Sequence, residues 1–130
     1  MQRPVSRIVA TALWAVLLAC NSKSATNPHV LASMEFTTLY KNRMPWKVEG
    51  VAAGTDCAVL LVRAESTLTD NNVEAIQYGA PEYGSYEGGI RQFAETHGFR
   101  AVAYRDARNT IWTFGATTQK EARALSPCEK

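Results

Sequence analysis

The sequence has little with which to hold a metal. Its two histidines, His29 and His97, and its three cysteines, Cys20, Cys57 and Cys128, stand far apart. No His-x-x-x-His or Cys-x-x-Cys spacing brings two ligands onto one turn, so neither a metal nor another cofactor is expected. An apolar run of about twenty residues, the length a membrane-spanning helix needs, is also missing. The longest, Ile8 to Ala19, has twelve. Charge of one sign is scarce too: 14 Lys and Arg stand against 12 Asp and Glu, and both surplus cations, Arg3 and Arg7, precede that run. Beyond Ala19 the charges balance, which removes the electrostatic basis for sequence-independent binding to nucleic acid. With 130 residues, 46% of them hydrophobic and 20% charged, the chain can build one core, with no room for a second domain or a two-domain cleft.

Two arginines ahead of a short apolar run are the anatomy of a secretory signal. The run closes on Leu17-Leu18-Ala19-Cys20, which resembles the lipobox of bacterial lipoproteins: a Leu three residues before the Cys, and a small residue just before it. The resemblance covers the first twenty-one residues. It implies a signal peptide over 1–19 and a diacylated, palmitate-bearing Cys20 at the head of a mature chain of 111 residues. The acyl chains then anchor the protein to a membrane in place of a helix. Asn21, rather than Asp, after the Cys implies outer-membrane sorting, facing the periplasm, in an organism with two membranes. Residues 20–33 are polar, small and broken by Pro28, the composition of a flexible tether, which leaves 34–130 as the globular domain.

Within that domain Met34 to Tyr40 and Trp46 to Ala52 alternate apolar and polar side chains and predict two half-buried strands. Cys57 to Ala64 is a continuous apolar run, the pattern of a strand buried on both faces at the centre of a sheet. Leu68 to Gly79 reads as a helix capped by Thr69, with Leu68 stapled to Val73. A second helix ends at His97 with Gly98 as its left-handed cap. Arg100–Tyr104 and Thr110–Phe114 form a hairpin around a polar loop. Thr118-Gln119-Lys120-Glu121 is a capping box opening a last short helix that buries Ala122 and Leu125. The order β-β-β-α-α-β-β-α predicts a small α+β domain, mainly antiparallel, with two or three short helices packed on the sheet.

With Cys20 assigned to lipid, the remaining pair in an exported protein predicts a Cys57–Cys128 disulfide. A competing arrangement makes Cys57 a thiolate nucleophile, His97 its base and Asp106 or Asn109 the orienter, which describes a cysteine hydrolase of cell-wall or peptide substrate. Against it, Cys57 leads into an apolar strand and not a helix N-terminus, where a dipole lowers the thiol pKa.

The most unusual stretch is Tyr78 to Gly89, with three Tyr and four Gly between two helices. Tyrosines on a glycine-rich loop offer flat amphipathic area at low entropic cost, so Tyr78, Tyr83, Tyr86, Gly88 and Gly89 are the candidate binding loop. The alternative is a packed connection in which the glycines permit turns. Glu82, Glu87 and Glu95 read as solvated carboxylates, and Arg100, Arg105 and Arg108 as a hairpin face interrupted by Asp106. No catalytic constellation stands out. The sequence predicts an envelope lipoprotein whose domain binds a protein partner or cell-wall component. A cysteine hydrolase and a purely structural assembly role are the alternatives.

Overall fold

A computed structural model describes residues 27–41, 45–80 and 88–128. Four strands make one sheet in the order β1 (Val48–Ala53), β2 (Val59–Ala64), β3 (Ala101–Arg105), β4 (Ile111–Gly115). The outer pairs are antiparallel and the central pair β2–β3 is parallel. The parallel pair needs a long crossover. Two helices supply it, α2 (Asp70–Tyr78) and α3 (Gly89–Thr96). Helix α1 (Pro28–Tyr40) precedes the sheet and α4 (Gln119–Arg123) follows it. The protein is thus a small α+β domain with a mostly antiparallel sheet, and the described residues hold four helices where two or three were expected.

The first element corrects the sequence reading. Met34 to Tyr40 is not a strand but the second half of α1. The helix starts where Asn27 accepts the His29 N–H at 2.8 Å and Pro28 occupies its first turn, a position where proline's missing N–H costs nothing. Residues 28–33, expected in a flexible tether, are instead the first part of this helix.

The run Val59-Leu60-Leu61-Val62 lies buried at the centre, as a strand covered on both faces. Leu60 and Val62, with Val102 and Tyr104, face Phe36 and Tyr40 of α1, Val73 and Ile76 of α2, and Ile90 and Phe93 of α3. Val59 and Leu61, with Ala101, Ala103 and Ile111, face Ala122 of α4 and the half-buried Leu125. Gly50 has no side chain because the Phe36 ring occupies the place a Cβ would take.

Both capping predictions hold. Thr69 accepts the Asn72 N–H while Asn72 reaches back to Thr69, and Thr118 and Glu121 do the same for α4. Edge strand β1 is shielded: the Thr37 hydroxyl accepts the Gly50 N–H at 2.9 Å, and the chain end donates from Cys128 N–H to the Ala52 carbonyl at 2.7 Å.

Candidate functional site

Cys57 and Cys128 form a disulfide, with Cα atoms 5.7 Å apart. It fastens the chain end to the turn that begins at Gly54, whose carbonyl accepts the Cys57 N–H at 3.3 Å. In this state Cys57 has no thiolate to offer. His97 follows α3 as its C-cap, its ring 4.3 Å from that of Phe93 and its Nε2 4.0 Å from a Glu35 oxygen. Asp106 does not orient it either. The Asp106 carboxylate accepts N–H groups from Leu68, Arg108 and Thr110 at 2.9 to 3.0 Å, while Asn109 takes the left-handed turn position at φ +61°. The arrangement needed for a cysteine hydrolase is not assembled.

Of the candidate binding loop, Tyr83 and Tyr86 lie outside the described residues, as do Glu82 and Glu87. Tyr78 ends α2 and is 52% exposed. Its ring meets that of Phe114 on β4 edge-on, with centroids 6.1 Å apart. Phe114 in turn meets buried Tyr104 edge-on at 5.8 Å. The two glycines have conformational tasks. Gly88 takes a left-handed φ of +83° ahead of α3, and Gly89 is buried, at φ +64°, against the backbone of Ile76, Gln77 and Gly79. That contact pins the end of α2 to the start of α3 and closes one base there.

Beside this base runs a groove of about 240 Å³, lined by Gln77, Tyr78, Arg91, Glu95, Phe99 and Phe114 among others. Its lining combines the aromatic rings of Tyr78, Phe99 and Phe114 with the charged side chains of Arg91, Glu95 and Arg100. Arg91 donates to Glu95 at 3.0 Å one helical turn on. Arg100 at one end donates to Asp56 at 2.8 Å and to the Ala116 carbonyl. The hydrogen bond from Arg100, with the Ala58 N–H, holds the Asp56 carboxyl below its ordinary range, and Asp56 raises Arg100 in return. Two other cavities are larger. One, of about 400 Å³, is lined by Thr37, Lys41, Lys47, Glu49, Arg63 and Glu65, with Arg63 and Glu49 paired at 2.6 Å. The other, of about 390 Å³, lies between the Gly54 turn and α4. Among the described residues, neither is lined by an aromatic side chain.

The remaining sequence candidates have local duties. Arg105 donates to the Ala122 carbonyl at 3.2 Å, and Trp112 donates from its indole to Asp70 at 2.8 Å, tying β4 to the start of α2. Among the described residues no group of three His, Cys, Asp or Glu is placed to hold a metal. No described helix is long and apolar enough to cross a membrane. Sequence reasoning missed the buried bond from the Tyr104 hydroxyl to Gln77 Oε1 beneath the groove, 2.5 Å long. The one signal for it was a Gln on the helix face that carries Val73 and Ile76.

Comparison with protein-family models, curated proteins and solved structures yields no match.

Proposed function

We propose that the chain is an envelope lipoprotein, anchored through diacylated Cys20, whose domain is a non-catalytic binding module. It takes a protein partner or a cell-wall component in the Tyr78–Phe114 groove, with Tyr83 and Tyr86, which follow Tyr78 in the sequence, as further contacts. The observation that carries the binding half is Tyr78, a half-exposed aromatic edge-on to Phe114 at the mouth of a groove. A buried tyrosine would be core; an exposed one on a rigid helix end, supported from below by Phe114 and Tyr104, is a preorganised contact surface.

Export is supported by the Arg3–Arg7 and Ile8–Ala19 pattern and by the disulfide, since such bonds persist in oxidising compartments. Lipidation is supported by Leu17-Leu18-Ala19-Cys20, and Asn21 favours the outer membrane where there are two.

The test is crosslinking in intact cells with the wild type and with a Tyr78→Ala, Tyr83→Ala, Tyr86→Ala variant of unchanged thermal midpoint. Loss of the crosslinked species in the variant supports the groove; equal recovery sinks it. The intact mass of the membrane-extracted protein, alkylated without reduction, reports acylation of Cys20 separately.

A further inference from the structure

A helix at the surface of a globular domain normally carries its apolar side chains on one face. Helix α1 does not. Val30, Ala32, Phe36 and Tyr40 are buried, while Leu31 and Met34, pointing away from them, are 53% and 55% exposed. Among the described residues Tyr78 is the only other exposed large hydrophobic side chain. Leu31, Met34 and Thr38 follow the i, i+3, i+7 spacing of a single stripe. The Thr38 hydroxyl donates back to the Met34 carbonyl at 3.1 Å, so even the polar member of the stripe has its donor satisfied and leaves water at reduced cost. Charge is kept to the flanks, with Glu35 near His97 and Lys41 at the helix end.

The place of this helix in the chain decides what covers it. Only Asn21 to Thr26 separate Cys20 from the cap residue Asn27, a span of at most about 25 Å even when fully extended. A chain held by lipid at Cys20 thus keeps α1 close to the bilayer surface. Leu31 and Met34, unlike Tyr78, line none of the grooves described above and give a free partner little hold, but an anchor makes the contact intramolecular, at an effective concentration of the order of millimolar.

We propose that the Leu31–Met34–Thr38 face of α1 lies against the lipid surface in which Cys20 is anchored, so that the domain docks on the membrane. The proposal rests on the lipid-anchor reading above. The membrane surface supplies the partner that the outer face of α1 lacks among the described residues, in the manner of an interfacial helix. A lipid surface fits this stripe better than a polar partner, because Leu and Met bring apolar area and no directional hydrogen bond.

Hydroxyl-radical footprinting tests it on the full-length protein, expressed in a bacterial host, purified and placed in vesicles of phosphatidylethanolamine and phosphatidylglycerol. The comparison is the unanchored Cys20→Ser variant in solution. Leu125, on the α4 side of the sheet, is the internal reference of the same side-chain chemistry as Leu31. With an acylated Cys20 confirmed by intact mass, anchoring should lower modification of Leu31 and Met34 by about threefold or more, and leave Leu125 unchanged. A Leu31→Glu variant, exposed and therefore folded, should keep the acyl mass and lose the protection of Met34. An acylated protein whose Leu31 and Met34 react as they do in the Cys20→Ser variant overturns the docking and leaves the anchor intact. A protein with no acyl mass and an open Leu31 overturns both.

Discussion

The Tyr104 hydroxyl, on the central strand β3, donates to Gln77 Oε1 on α2 at 2.5 Å, and both side chains are buried. The pair fixes the depth at which α2 sits on the sheet, directly below the Tyr78–Phe114 contact. Tyr104→Phe keeps the ring and leaves the Gln77 oxygen without its donor, which costs about 1–3 kcal/mol. The expected result is a lower thermal midpoint by several degrees with an unchanged circular dichroism spectrum.

The same pair sets an alkaline limit. Burial pushes the Tyr104 hydroxyl well above the ordinary tyrosine value, and neighbouring Tyr40 and Tyr78 add to it. Above pH of about 10 the unfolded chain releases this proton while the folded one keeps it. The unfolded state then binds fewer protons, so stability falls as pH rises. The contribution is whole below the unfolded value and is lost upward through the raised folded one. Urea midpoints at pH 8 and pH 11 should diverge more for the wild type than for Tyr104→Phe.

Asp106 behaves in the opposite sense. Burial alone would raise its pKa, but N–H donors from Leu68, Thr110 and Arg108 outweigh it and hold the carboxyl below its ordinary value. Its stabilisation is therefore whole above the unfolded value of about 3.9 and is lost as pH falls through the lower folded value. Asp106→Asn turns one accepting oxygen into a donor that faces an N–H, at a cost of about 2–3 kcal/mol. Urea unfolding at neutral pH should show that loss, and the gap between variant and wild type should narrow toward pH 2.

The disulfide joins residues 71 apart, which in the chain-entropy model contributes about 4 kcal/mol, a large part of what a domain of this size has. Reduction, or a Cys57→Ser, Cys128→Ser variant, should lower the urea midpoint accordingly. Hydrogen exchange should quicken first at the Cys128 and Gly54 amides, which bond Ala52 and Ser126 across the fastened end. Equal midpoints with and without reductant would sink this estimate.

Which elements could be read from the chain alone follows from how local their causes are. The run Val59 to Val62 has no polar position to expose, and Thr69 and Thr118 cap helices through residues three positions away, so these features are written within a few residues. Helix α1 is different. Met34, Phe36 and Thr38 also fit strand alternation, and the exposed Leu31 and Met34 erase the one-sided pattern that marks a surface helix. The start signal Asn27-Pro28 was there, but the same two residues also suit a tether. Tyr104–Gln77 and Asp106–Leu68 span 27 and 38 positions; partners that distant are set by packing. Tyr78 was readable as a candidate from its glycine-rich company, whereas Phe114 and Phe99 join it only because the crossover lays α2 and α3 beside β3 and β4.

Gly89 and Gly98 separate the two reasons a glycine can be required. Both have positive φ, +64° and +76°, and an alanine in that region is strained by about 1–2 kcal/mol. At Gly98 a new Cβ meets nothing nearer than His29 Nε2 at 3.7 Å, so Gly98→Ala should cost only that strain. At Gly89 the same Cβ meets Gly79 N and stands 2.6 Å from the Gln77 and Ile76 carbonyl oxygens, backbone atoms that cannot turn aside. Gly89→Ala should therefore lose about 3 kcal/mol or more and part the end of α2 from the start of α3. If the groove beside that base is the binding surface, a Gly89→Ala protein held folded at low temperature should also lose its crosslinks, while Gly98→Ala keeps them. Matching crosslink yields in the two variants would detach the closed base from binding.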